Sequence, residues 1–176
     1  MKIPSRNDPS EYVKEPFPDY YARWPEELIH IPENVVKTWM WYHNEQVVEF
    51  SEENYDFTKW NFRLEKFTNG QILSIQHFSD ELEKLDNIGK RFLGNELEGY
   101  DTADYMQEHG TFPCPIIVAE NAGQHEHHRS FPDEKMLEPY HLIEGSRRLA
   151  FIRALIGSQS PVLKDEHDVW IVSIAD

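Results

Sequence analysis

The chain has 176 residues, enough for one domain (1–176) on the usual scale of about 100–200 residues each. Its 17 Lys and Arg face 32 Asp and Glu, a formal charge of −15 spread evenly along the chain. That field repels nucleic-acid phosphates and anionic lipid, so sequence-specific DNA binding is disfavoured. An aromatic content of 13% excludes a disordered acidic tail.

The opening stretch, Met1 to Pro9, has no apolar run of the kind a signal peptide carries. No segment reaches the roughly 18 uninterrupted apolar residues of a membrane span, so no membrane insertion is expected. Cys114 is the single cysteine, which excludes an internal disulfide and a Cys-based zinc site. Its neighbours in sequence, Pro113 and Pro115, offer nothing to activate a thiol, and a structural role is expected. A cytoplasmic location fits these features.

Residues 1–32 hold six prolines and the aromatics Tyr12, Phe17, Tyr20, Tyr21 and Trp24, the pattern of an irregular arm that packs on the body. Residues 33–99 read as a helix and hairpin extension. Pro32 and Glu33 open a helix predicted over Glu33–Tyr42. Within and beyond it, Trp39-Met40-Trp41-Tyr42, Trp60 and Phe62 suit either core packing or an exposed partner-binding patch. Asn69-Gly70 predicts a two-residue hairpin turn that pairs Leu64 with Ile75 and buries Phe62, Leu64, Leu73 and Ile75 on one face. Ser79-Asp80-Glu81 caps a helix whose apolar positions are Leu82, Leu85 and Ile88.

From residue 100 the pattern is α/β. A helix over Asp101–His109 stops at Gly110. Pro115 to Ala119 is a continuous apolar run, expected of a strand buried on both faces. After a polar loop over residues 120–139, Tyr140 to Ile143 is a strand that runs into Glu144-Gly145-Ser146-Arg147-Arg148. A helix over Leu149–Ile156, closed by Gly157, and a last strand over Val169–Ile174 complete the chain.

The strand–Glu-Gly-Ser-Arg-Arg–helix junction carries the most chemical information. Gly145 permits a sharp turn, the helix start presents unpaired N–H groups, and two arginines add positive charge. Phosphate is the natural ligand, because a guanidinium offers paired donors to phosphate oxygens. The competing reading is that Arg147, Arg148 and Arg153 neutralise acids such as Glu144 and Glu138. Arg153 sits on a largely apolar helix and should be paired or bound. A second constellation, His125, His127 and His128 with Glu126 and Asp133-Glu134, offers metal-ligand chemistry, but its spacing matches no standard zinc pattern and suits a solvated loop.

Gly110-Thr111-Phe112-Pro113-Cys114-Pro115-Ile116-Ile117-Val118 and Tyr140-His141-Leu142-Ile143-Glu144-Gly145-Ser146-Arg147-Arg148-Leu149-Ala150 resemble the ParB/sulfiredoxin superfamily, over residues 100–174. The resemblance implies an α/β (α+β) fold, a small mixed sheet with flanking helices, with the N-terminal extension packed on it. It implies that Gly145, Ser146, Arg147 and Arg148 cradle nucleotide phosphates, as the corresponding segment does for CTP in ParB and ATP in sulfiredoxin. The implied cofactor is a nucleotide with Mg²⁺. The departures are specific. One extra residue separates Gly110 from Pro115, and Ser146 stands where sulfiredoxin has its catalytic cysteine. Sulfinic-acid reduction by the family's route is therefore not expected. ParB's helix-turn-helix would follow the matched segment, and the sequence stops at Asp176, so chromosome partitioning is not expected either. Glu144, as in superfamily members with an acid before the glycine, is a candidate general base or metal ligand; the alternative is an ion pair with Arg147 or Arg148. Two other functional classes stay open. One is a non-catalytic acidic interaction protein with a protein partner (an immunity protein, antitoxin or mobile-element inhibitor). The other is a metal-dependent nuclease or phosphotransferase.

Overall fold

The computed structural model describes residues 2–53, 55–127 and 135–175. The chain divides into two compact units, residues 1–62 with 174–176, and residues 63–173. Residues 63–99, part of the extension in the sequence reading, thus belong to the second unit. No helix among the described residues is long and apolar enough to cross a membrane.

The first unit contains the proline-rich arm, which is pinned by polar contacts to the helical segments that follow. Its helices are α1 (Phe17–Tyr21), α2 (Glu33–Val35) and α3 (Asn44–Glu53). The helix expected over Glu33–Tyr42 forms, but from Val36 to Trp41 it winds as a π-helix. The carbonyls of Trp41 and Tyr42 at its end accept from the Arg6 guanidinium at 2.6 and 3.2 Å, and Arg6 is itself paired with Asp8. Buried Asn44 donates to the carbonyls of Pro4 and Met40 and accepts the Arg6 amide. Trp39, Phe57 and Trp60 form an aromatic core with ring centroids 4.9–6.0 Å apart. Of the Trp39–Tyr42 cluster, Trp39 and Met40 are thus core, whereas Tyr42 is 54% exposed.

The second unit is built on a mixed five-stranded sheet in the order β1-β5-β3-β4-β2. Its strands are β1 (Trp60–Thr68), which begins in the first unit, β2 (Ile75–Gln76), β3 (Ile116–Ala119), β4 (Tyr140–Glu144) and β5 (Glu166–Ile174). β3 runs parallel to β5 and antiparallel to β4, and β4 is parallel to β2. All four residues of β3 are buried, as its unbroken apolar run requires. The helices are α4 (Asn69–Ser74), α5 (Ser79–Leu93), α6 (Asp101–His109) and α7 (Ser146–Gly157). α6 ends where predicted, with Gly110 left-handed at φ 64°. Leu85 of α5 is buried and Leu82 and Ile88 pack against the same core, although the N-cap is Phe78, one residue earlier than expected.

The Asn69-Gly70 hairpin does not form. Those residues open α4, because Thr68 and Gln71 make a reciprocal capping box in which the Thr68 side chain accepts the Gln71 amide and the Gln71 side chain accepts the Thr68 amide. β1 and β2 consequently lie at opposite edges of the sheet. The face expected to be buried is split: Ile75 is buried, but Leu64 and Leu73 are 49% and 46% exposed. α7 begins at Ser146, three residues before the expected start, and β5 begins at Glu166, three residues before Val169.

Replacing Thr68 by Ala is expected to destabilise the second unit by about 1 kcal/mol, the usual cost of a lost N-cap. Urea denaturation measures it. A hairpin turn would leave the substitution near neutral, so an unchanged midpoint contradicts the capping assignment.

Candidate functional site

At the end of β4 the chain turns into α7 through Gly145, whose φ is 107°. A Cβ here would lie 2.5 Å from Ile116 Cγ2, so both the conformation and the space call for glycine. The turn is immediate: the Gly145 carbonyl already accepts the Leu149 amide at 2.8 Å, and this brings Ser146, Arg147 and Arg148 into the first helical turn. Gly145 has no side chain to cap that turn, and among the described residues no side chain is seen to accept its leading N–H groups.

Successive helical residues are rotated by about 100°, and the two arginines accordingly go to different places. Arg148 points inward and is 8% exposed. Its Nη1 donates to the carbonyls of Cys114 and Pro115, both at 2.7 Å, and lies 2.9 Å from Cys114 Sγ. Its Nη2 donates to the Glu144 carboxylate one turn back. Glu144 therefore makes the ion pair that stood as the alternative to catalysis. Arg147 and Ser146 are exposed, and the Arg147 guanidinium lies 5.2 Å from the Tyr100 ring centroid. Tyr100 is 39% exposed and packs edge-on against Phe151. Arg153 is paired with Asp86 at 3.3 Å, as an arginine on a buried helix should be.

Cys114 has a cationic neighbour after all, supplied from α7 and not by its flanking prolines. Burial nevertheless dominates and pushes the thiol above its usual value; the Arg148 guanidinium works against this and Glu144 adds to it. Such a thiol is a poor nucleophile at neutral pH, consistent with a structural role.

The histidine tract is dispersed. His125 Nε2 lies 3.0 Å from Asn121 Nδ2, and His128 falls outside the described residues. His127 is buried and sits beside His77 and His141, with ring centroids at 5.6 and 5.2 Å. The Nδ1 atoms of His77 and His141 accept backbone N–H groups from Phe78 and Leu137, which leaves the ring proton on Nε2 in each neutral ring. Among the described residues no group of three His, Cys, Asp or Glu is arranged to hold a metal ion.

The structure thus brings Glu144, Gly145 and Arg148 together inside the protein and leaves Ser146 and Arg147 outside. Sequence reading missed the roles of four residues. Tyr100 lies 47 positions before Arg147, and no local pattern links them. Cys114 enters through its carbonyl and sulfur. His77 and His141 are isolated histidines, one just after β2 and one in β4. Comparison with protein-family models, with curated proteins and with solved structures found no match for this chain.

Removing one partner of a buried charge pair leaves the other uncompensated. Arg148→Ala is therefore expected to cost about 3 kcal/mol or more in denaturant unfolding, whereas Arg147→Ala on the surface should change stability by no more than about 0.5 kcal/mol. Equal, small effects of the two substitutions would contradict the inward and outward assignment.

Proposed function

We propose that the protein binds a phosphate-bearing ligand, with a nucleotide as the favoured class, at the start of α7. The observation that carries this reading is the division of labour between the arginines. Arg148 is spent on Glu144 and on the carbonyls of Cys114 and Pro115, while Arg147 stands exposed beside helix amides that no described side chain caps. Helix-terminal N–H groups and a guanidinium together suit an anion with several oxygens. Ser146 adds a hydroxyl donor at the same turn. The half-exposed Tyr100 ring next to Arg147 gives an aromatic base a surface to stack on. In this reading Gly145, Ser146 and Arg147 contact the ligand, and Arg148 and Glu144 are positioning residues that fix the turn. The reading includes no chemical step.

A second reading, a surface for a protein partner, has one specific observation in its favour. In the first unit Tyr12, Val13 and Tyr42 are 90%, 53% and 54% exposed, and Lys14 lies 3.6 Å from the Tyr42 ring centroid. Exposed aromatics with an adjacent cation are the composition of interface hot spots. The metal-dependent nuclease reading would need Glu144 and the histidines at one point. Glu144 bonds Arg148 at the end of β4, whereas His127 lies with His141 near that strand's start.

Thermal denaturation with CTP, ATP, GTP and pyrophosphate, each with Mg²⁺, tests the proposal. A ligand at 100 times its Kd stabilises the folded state by about 2.7 kcal/mol, a readily measured rise in Tm. Arg147→Ala should abolish the rise while leaving the unliganded Tm unchanged. No rise with any of these ligands at millimolar concentration contradicts phosphate binding and turns attention to the aromatic surface.

A further inference from the structure

His77, His127 and His141 come from three separate stretches of chain: the residue after β2, the loop after β3, and β4 itself. Their exposures are 8%, 4% and 0%, and their ring centroids are 5.0–5.6 Å apart. Two of the rings do a job that only an uncharged imidazole can do. His141 Nδ1 accepts the amide of Leu137 at 3.0 Å, which ties the segment leading into β4 to that strand. His77 Nδ1 accepts the amide of Phe78, the N-cap of α5, at 2.9 Å. A protonated ring carries hydrogen on both nitrogens, so its Nδ1 becomes a donor and faces the amide N–H head on. The tied segment is in turn joined to the other side of its loop: Met136 donates to the His125 carbonyl at 2.8 Å, and Lys135 pairs with Glu126 at 3.2 Å.

We propose that His141, packed against His77 and His127, is an acid-sensitive latch. Neutral, it holds residues 135–139 to β4; protonated, it releases them.

The surroundings favour the neutral state. His141 Nε2 is buried without a hydrogen-bond partner among the described residues, so none of them offers an acceptor to stabilise a charge there. Facing His141 are His77 and Phe78 from the β2–α5 connection, His127 from the loop after β3, and the Leu137 amide from its own segment. Among the described residues, Glu120, Glu126 and Asp80 are paired with Arg63, Lys135 and Lys84. Burial, reinforced by the nearby His77 ring, pushes His141 down to about 3. A histidine whose pKa is depressed in the closed form stabilises that form above its ordinary value near 6.5 and loses this contribution as pH falls below it. Each pH unit from about 6.5 down to about 3 then favours the open form roughly tenfold.

Amide hydrogen exchange at pH 7.5 and 5.5, corrected for intrinsic rates, reads the latch directly. Protection at Leu137 should fall by about tenfold relative to Val118 and Leu142 in the β3–β4 ladder. Unchanged relative protection in a protein that stays folded overturns the proposal. If the whole chain unfolds by pH 5.5, the pH dependence of stability of His141→Asn decides, because an Asn side-chain carbonyl can accept the Leu137 amide and does not titrate. Its stability should fall less than that of the wild type between pH 7.5 and 6, and an equal fall overturns the latch.

Discussion

A buried guanidinium organises the most informative part of this molecule. Arg148 reaches back from the first turn of α7 to the carbonyls of Cys114 and Pro115 just before β3, and to the carboxylate of Glu144 at the end of β4. A charge in that position is tolerable only when its donors are matched and a counter-charge lies close by. Its bonds therefore fix three pieces of chain relative to one another: the entry to β3, the exit from β4 and the start of α7. Gly145 supplies the backbone turn that makes the reach feasible. Because Arg148 points in, helical geometry sends Arg147 out, and an exposed positive side chain is left beside the leading amides of the helix. The local sign of charge at this turn is thus opposite to that of the chain as a whole, whose formal charge is −15.

Much of the second unit's architecture was legible because its signals are local. Gly110 in a left-handed conformation ends α6, and an unbroken apolar run makes β3 a fully buried strand. The α+β class follows from those elements. The Asn69-Gly70 turn was misread because two local signals compete there. The dipeptide favours a hairpin, but Thr68 and Gln71 cap a helix over the same residues, and the strands on either side find long-range partners in β5 and β4. Strand pairing across the sheet is set by packing that no short window contains.

The candidate site was legible in outline only. Residues Glu144 to Arg148 stood out by composition, yet composition cannot say which arginine faces the interior. Nor can it foresee that Glu144 is consumed by an ion pair, or that Tyr100 lies alongside Arg147. The histidines teach the same lesson from the other side. The conspicuous run at 125–128 drew attention as a unit, but the structure takes His127 from it and joins it to His77 and His141, which no spacing rule connects. Tertiary contacts, not adjacency, made that cluster.

We propose that the outward half of the α7 turn holds an anionic ligand while the inward half holds the fold. A ¹⁵N-resolved NMR titration with CTP, ATP and pyrophosphate, each with Mg²⁺, examines both halves at once. Saturable shifts of the Ser146 and Arg147 amides are expected with at least one of these ligands, with little movement at Cys114. Saturable binding that moves other regions and leaves the Ser146 and Arg147 amides in place would contradict the proposal, as would spectra that none of the ligands alters.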